Sequence, residues 1–263
     1  MSRNAWPASG VWLALFTLCA PGIGAAQTLE TETARLMKAG WWEIGNALEL
    51  QTSSEGTEAA IPMAVEYGFR DNLELLVEPV PYTAIRPKVG RRATGLGDVE
   101  ATLSYRFGQE HGWVPALAFA AEVKIPTARD ALIGSREPDY TGYVIASKRF
   151  GRFDAHANIA YTLVGRMPDT AQLNNTFNFA VAGVYEANAR LEVFGEALAT
   201  TASVPGAETP GGNTVTPEAS GGELVGTLGA GWRMGTGLVV YFSASFDNNN
   251  ALLLRPGFTV KFR

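Results

Sequence analysis

The chain has 263 residues, of which 26 are acidic, 21 are basic and one is cysteine, and its formal net charge is −5. This mild acidity argues against nucleic acid as a partner, because nucleic-acid-binding proteins concentrate basic charge on one surface. A single cysteine allows neither an intrachain disulfide nor a thiolate cluster for a metal ion.

The first 26 residues predict a cleaved secretory signal peptide. Arg3 precedes an apolar run from Val11 to Ala20, and the small residues Gly24-Ala25-Ala26 follow it. The run has about half of the ~20 residues that a membrane-spanning helix requires. We therefore expect export across the inner membrane and cleavage after Ala26, which also removes Cys19.

The rest of the chain alternates apolar and polar residues in twelve segments, as a β-strand with one apolar face does. The clearest segment runs from Trp113 to Ile125, where one parity is apolar and the other carries Glu122 and Lys124. In segment 140–149 both parities are apolar, so its register stays open. In chain order the predicted strands are 41–50, 60–69, 73–82, 97–107, 114–125, 140–149, 153–164, 176–186, 191–200, 223–233, 238–247 and 252–262.

The connections between these strands are alternately tight and long, as in outer-membrane barrels with short periplasmic turns and long extracellular loops. The tight ones are 70–72, 108–112, 151–152, 187–190 and 235–237, and the long ones are 51–59, 83–96, 126–139, 165–175 and 202–222. The pattern predicts an all-β fold: a transmembrane antiparallel up-and-down β-barrel of about 12 strands, formed by residues 41–263. Residues 27–40 are expected as a periplasmic N-terminal lead-in, with insertion into the lumen as the alternative.

Aromatic residues of the apolar parity gather at the tight-turn ends of the strands. Rings repeated at one height are typical of an interfacial girdle. The predicted girdle residues are Trp42, Phe69, Phe107, Trp113, Phe153, Tyr185, Trp232 and Phe262.

If the apolar parity faces lipid, the other parity lines a polar and charged lumen. Twelve strands predict a narrow or partly obstructed passage, since eight can be filled by side chains and sixteen leave an aqueous channel. The alternative is that these charges pair with one another and only stabilise the wall. The candidate lumen-lining residues are Glu66, Glu100, Arg106, Glu122, Lys124, Asp154, His156, Asn158, Glu192, Glu196, Arg233 and Lys261.

Catalytic chemistry is not expected. Asp154, His156 and Asn158 share one face of a strand, but successive residues on that face are ~7 Å apart, which strains direct contact between them. Lumen serines such as Ser104 and Ser243 are the candidate nucleophiles. The sequence has no motif for a metal, a phosphate or another cofactor.

Several segments resemble the family of MetA-pathway of phenol degradation proteins, which are described as outer-membrane transporter-like. The resemblance spans most of the mature chain, and its Gly-Leu-Gly-Asp element is the most specific part. It rests on Leu36–Glu43, Thr94–Val99, Leu103–Phe107, Glu122–Thr127 and Ser147–Gly151. The resemblance implies an outer-membrane barrel and the uptake of phenol or other small aromatic or apolar compounds.

Three functional hypotheses follow. The first is a passive outer-membrane channel for small organic compounds, with outer-membrane lipid around it and no chemical step. The second is a structural or interaction barrel whose long loops, especially 202–222, bind an external partner. The third, a soluble barrel with its apolar face inward, would leave a large void that close packing disfavours.

Overall fold

The computed structural model describes residues 29–165, 175–201 and 223–263. The predicted signal peptide and most of the connections predicted at 165–175 and 202–222 lie outside these ranges. The described residues form sixteen β-segments: β1 (Trp42–Ala47), β2 (Glu49–Thr52), β3 (Gly56–Ala60), β4 (Met63–Arg70), β5 (Leu73–Pro79), β6 (Thr83–Pro87), β7 (Ala93–Gly95), β8 (Val99–Gly108), β9 (Ala116–Ile125), β10 (Asp139–Phe150), β11 (Phe153–Leu163), β12 (Thr176–Glu186), β13 (Leu191–Thr200), β14 (Glu223–Met234), β15 (Leu238–Asp247) and β16 (Leu252–Phe262).

The segments form one closed antiparallel barrel with twelve crossings. The first four crossings consist of two segments each, namely β1 with β2, β4 with β3, β5 with β6 and β8 with β7, and β9 to β16 are the other eight. The barrel closes where Trp42 of β1 pairs with Phe262 of β16. The predicted barrel of about twelve strands is therefore confirmed. No helix in the described part of the chain is long and apolar enough to span a bilayer.

The first four crossings are interrupted at neighbouring positions, at Leu48, Ile61-Pro62, 80–82 and 96–98. The third interruption adds a residue: Glu78 and Thr83 both face the lumen although their numbers differ in parity. Prolines explain these breaks in part, because a proline cannot donate to the β-ladder.

The predicted loops at 51–59 and 83–96 are wrong in extent. Most of their residues are paired in β2, β3, β6 and β7, so that only 53–55 and 88–92 remain as turns. In 83–96 the break changes the phase of the alternation, and a period-two pattern that changes phase cannot be distinguished from a loop in the sequence. In 51–59 the outward positions Thr52 and Thr57 are polar, so the apolar face of a strand is missing.

The two faces of the wall differ as the alternation predicted. Side chains of the apolar parity are exposed, including all eight predicted girdle residues, with Trp113 the most exposed at 89%. The other face carries buried polar residues. In β10 the structure decides the open register, since Ile145 and Ser147 face inward while Val144 and Phe150 face outward.

The tight turns lie at one end of the barrel, which the rule for outer-membrane barrels makes the periplasmic end. The turn from β10 to β11 has only two residues, and Gly151 in it has a φ of +63°. Glycine adopts this left-handed conformation without steric cost, so it suits so short a connection.

Candidate functional site: a charged lumen crossed by the N-terminal segment

The N-terminal segment, which we define as residues 29–40, lies inside the barrel. Leu29, Thr31, Thr33 and Ala34 are each at most 4% exposed although they belong to no strand. The structure thus places this segment in the lumen, which was the alternative to a periplasmic lead-in.

Hydrogen bonds join this segment to opposite walls. The backbone nitrogen and hydroxyl of Thr31 both donate to Glu196 Oε2 of β13, each over 2.6 Å. The backbone nitrogen of Met37 donates to Glu74 of β5. Because β5 and β13 are the third and ninth of the twelve crossings, the segment reaches across the full diameter.

Two further contacts join the segment to another pair of opposite strands, β10 and β16. The backbone nitrogen of Ala34 donates to Ser147 Oγ of β10 over 2.9 Å. Arg255 of β16 forms ion pairs with Glu30, at 2.5 Å, and with Glu49, at 2.6 Å. β10 and β16 are the sixth and twelfth crossings, so the segment is held from four sides of the lumen.

Arg35 makes the most extensive polar contact of the segment. Its guanidinium donates to both carboxylate oxygens of Asp154, at 2.6 and 2.9 Å, and to Glu110 at 2.6 Å. Lys148 also pairs with Glu110 at 2.7 Å, and Arg149 with Asp154 at 3.1 Å. Arg149 also pairs with Glu186 at 3.3 Å, so Arg35 completes a network of three carboxylates and three cations near the periplasmic rim.

The charge of Glu110, which lies in the turn between β8 and β9, is stabilised by this network. Although its partial burial opposes ionisation, hydrogen bonds from Lys148 and Arg35 lower the pKa of Glu110 to about 2. An acid with a depressed pKa contributes its attraction above the ordinary value of 4.5 and loses it as the pH falls towards 2. Arg35 therefore faces a charged Glu110 at neutral and mildly acidic pH.

A glycine in the wall makes room where the segment leaves the lumen. Gly68 of β4 faces inward, and a Cβ there would collide with the carbonyl oxygen of Lys38. The backbone nitrogen of Gly40 donates to the carbonyl of Gly68 over 2.8 Å, and Gly68 donates to the carbonyl of Trp41 over 3.1 Å. The segment therefore enters β1 along the inner side of β4.

The structure places all twelve candidate lumen-lining residues on the inner face. Those in contact with the N-terminal segment are Arg106, 3.5 Å from the Ala34 carbonyl oxygen, and Asp154 and Glu196 through the bonds above. In the amide orientation that pairs both its polar atoms, Asn158 donates to the Glu32 carbonyl over 2.9 Å. His156 reaches the segment through Ser147, whose Oγ lies 2.9 Å from His156 Nδ1.

The other candidates contact neighbours within the wall. Glu122 accepts from the Tyr143 hydroxyl at 2.8 Å, Lys124 pairs with Asp139, and Lys261 pairs with Glu43 at 2.8 Å. The remaining four lie in the ladders, with Glu66 opposite Glu43, Glu100 opposite Glu78, Glu192 opposite Gly231, and Arg233 opposite Val239.

Sequence reasoning missed several residues of this site. Ser147 and Tyr143 lie in the strand whose register was left open, and only the ladder of β10 settles their inward direction. Lys148 has outward parity, yet its ammonium group reaches the Gly112 carbonyl at 2.6 Å by extending along the rim. For Arg35 the available signal was a basic residue, one of two with Lys38, in the segment ahead of the first strand.

Asp154 and His156 of β11 do not form a catalytic triad with a serine. The Asp154 carboxylate contacts Arg35 and Arg149, while the Nδ1 of His156 contacts Ser147. The cavity beside His156 has a volume of about 10 Å³, which is room for a water molecule and not for a substrate. Ser104 and Ser243 are buried in other strands. Within the described ranges, no group of three or more His, Cys, Asp or Glu could hold a metal ion.

The Gly-Leu-Gly-Asp element forms a junction between the wall and the third outer loop. A Cβ at Gly97 would approach the Cβ of Val80 to 2.7 Å, so glycine permits close contact at the break in the third and fourth crossings. Asp98 accepts from the Ala128 nitrogen over 2.9 Å, and the Thr127 hydroxyl donates to the Gly97 carbonyl over 2.7 Å. The most specific motif of the chain thus fixes a loop to the barrel wall.

These features define an outer-membrane-type β-barrel with a polar lumen and an inserted N-terminal segment. The chain belongs to the family described as "Putative MetA-pathway of phenol degradation", whose sequence model matches residues 57–243. The family assignment made from the motifs is therefore confirmed. The comparison with curated proteins gave no match.

Solved outer-membrane barrels share the fold. An outer membrane channel from Pseudomonas putida F1 has a TM-score of 0.61 and 13% identity, with 87% of this chain and 98% of that one covered. The NanC porin has a TM-score of 0.59 and 10% identity, covering 83% and 100%. The KdgM porin, solved with disordered oligogalacturonate, has a TM-score of 0.56 and 9% identity, covering 84% and 99%. At these identities the likeness establishes the architecture alone.

Proposed function

We propose that the protein is a passive outer-membrane channel for small organic molecules, and that the N-terminal segment closes its lumen at rest. In this proposal the signal peptide of residues 1–26 directs export and is cleaved after Ala26. The barrel of residues 41–263 sits in outer-membrane lipid. The family description suggests phenol and related small aromatic compounds as solutes.

One observation carries this proposal: the lumen holds a tethered peptide, against which wall side chains such as Phe194 and Tyr241 pack. An eight-stranded barrel closes itself with its own side chains, whereas twelve strands here leave room for an extended chain. Displacement of that chain would leave a passage of comparable cross-section. The inner wall is polar and charged, so water would enter the freed space and a solute could follow.

Besides the apolar packing of Leu29 and Ala34 against the wall, the segment is held by polar contacts that can be exchanged for water. They are hydrogen bonds and ion pairs to Glu74, Ser147, Asp154, Glu196 and Arg255, and in the described part of the chain no covalent crosslink joins the segment to the wall. A net hydrogen bond contributes only about 1 kcal/mol, since water replaces it when it breaks. The closed state is therefore stabilised without being made permanent.

A reversible crosslink between segment and wall tests the proposal. Thr33→Cys combined with Ser147→Cys places two thiols where the hydroxyl oxygens of Thr33 and Ser147 now lie 3.3 Å apart. We expect the reduced protein in liposomes to pass small organic solutes faster than the oxidised protein. Each single cysteine variant serves as the control and should be indifferent to oxidation.

No flux in either redox state would contradict the channel and favour the interaction barrel. The loop assigned to that alternative, 202–222, lies outside the described residues. Deletion of that loop should leave the flux of the reduced double variant unchanged if the barrel is a channel.

The charge of the lumen predicts cation preference. Inward-facing acids, such as Glu43, Glu66, Glu74, Glu192 and Glu196, outnumber the inward-facing Lys and Arg. Fixed negative charge along a narrow passage attracts cations and repels anions. We expect the reversal potential of the opened channel in a salt gradient to have the sign of cation selectivity, whereas an anionic sign would contradict this assignment.

A further inference from the structure

A groove lies on the lipid-facing side of the wall, in the outer half of the first three crossings and of β16. Its volume is about 380 Å³, which is in the range of ligand-binding clefts. Except for Gln51 and Glu58, the lining residues belong to the parity that points away from the lumen. We call it the outer groove, and its lining consists of Leu50, Gln51, Thr52, Thr57, Glu58, Ala59, Tyr82, Ala84, Arg86, Leu252 and Leu254.

Two rows of side chains cross the outer groove at different heights. The row nearer the membrane centre is apolar and runs from Leu254 through Leu50 and Ala59 to Ala84, each paired with the next across adjacent strands. The small alanines form the floor between larger neighbours. Ala84 is only 5% exposed although it faces away from the lumen, so the cleft is a true recess in the wall.

The row nearer the outer end of the barrel is polar except for Leu252. It runs from Leu252 through Thr52 and Thr57 to Arg86. Leu252 also pairs with Phe246, which is 60% exposed on the lipid side of β15. The outer groove thus changes from apolar to polar along the membrane normal, as an amphiphilic lipid does.

Basic residues lie at the outer end of the groove, beyond the apolar row. Arg86 lines the outer groove, and Lys88, Arg91 and Arg92 follow in the turn beyond β6. Arg91 is paired with Asp130 at 2.5 Å. Among the described residues, no ion pair involves Arg86, Lys88 or Arg92. Phosphate groups bind to such a cluster through charge-assisted hydrogen bonds.

We propose that the outer groove binds one acyl chain of a phosphorylated glycolipid of the outer leaflet, with its phosphate on Arg86 and the basic turn. The apolar row accommodates the chain, and the Thr and Arg row meets the sugar and phosphate groups. The end with the longer connections faces the outer leaflet, where such glycolipids reside. This lipid site depends on the orientation of the barrel in the membrane and not on transport, so a failed flux experiment would not contradict it.

The test is equilibrium binding of bisphosphorylated lipid A to the purified full-length barrel in detergent, followed by native mass spectrometry and thermal unfolding. Wild-type protein should retain one lipid A and gain about 3 °C or more in Tm. Ala84→Phe, which fills the floor, should abolish both effects. Arg86→Gln, which keeps the cleft but removes charge, should weaken binding to bisphosphorylated lipid A and leave binding to a dephosphorylated form unchanged.

Ala157→Phe is the matched control, because Ala157 faces lipid on β11 away from the outer groove. It should bind lipid A as the wild type does. Failure of the wild type to retain lipid A would overturn the proposal. So would full retention by Ala84→Phe, or equal retention of phosphatidylglycerol by the wild type, which would make the occupant an ordinary phospholipid.

Discussion

Deletion of residues 29–38 is expected to raise the single-channel conductance by about an order of magnitude, because twelve strands enclose more space than their own side chains fill. The deletion removes the contacts with Glu74, Ser147, Asp154 and Glu196 together. Water then fills the lumen and hydrates the inward-facing carboxylates. Planar-bilayer recordings of wild-type and deleted protein measure the difference.

The barrel itself should survive this deletion, because its closing ladder begins at Trp42, which pairs with Phe262 and with Tyr67. Circular dichroism and the heat-dependent gel mobility of a folded barrel provide the control for folding. A folded deletion variant with wild-type conductance would mean that something other than the N-terminal segment closes the lumen.

Replacement of Arg35 by alanine is expected to open the channel part of the time. The guanidinium makes three charge-assisted hydrogen bonds to Asp154 and Glu110, and it is 29% exposed, so we discount its contribution for solvent. Loss of about 2 kcal/mol from the closed state corresponds to about a thirtyfold shift of the equilibrium towards open. Single-channel recordings should show frequent openings that close again.

Two matched variants separate the role of Arg35 from a general effect of charge. Arg152→Ala removes an exposed arginine from the turn next to Asp154 and should leave the open probability unchanged. Arg35→Lys keeps the charge but loses the forked geometry, so we expect an intermediate open probability. An Arg35→Ala protein that stays closed while the deletion variant opens would refute the role assigned to the arginine.

The strands and their faces were predictable because the period of two is a local property of the chain. In segment 113–125 each residue's parity already states whether it faces lipid or lumen. The eight girdle aromatics and the twelve candidate lumen residues followed from the same rule. Segment 140–149, with apolar residues on both parities, needed the ladders to β9 and β11 before Ser147 could be placed.

The breaks in the first four crossings show where this local rule fails. The extra residue between Glu78 and Thr83 reverses the parity, so a correct reading of β5 gives the wrong face for β6. The outer groove is lined by β2, β3 and β6, the outer segments of the first three crossings, together with β16. The groove could not be predicted from the sequence, because most of residues 51–59 and 83–96 were assigned to loops and not to strands.

The sequence alone determined the all-β barrel, its number of crossings, the face that meets lipid and the family, because alternation, turn residues and motifs are encoded in short stretches. Only the tertiary structure decided what occupies the lumen. Thr31 and Glu196 are 165 residues apart, and no spacing rule relates them. Their contact depends on closure of the barrel, which brings distant strands around one axis and leaves a space that residues 29–40 can fill.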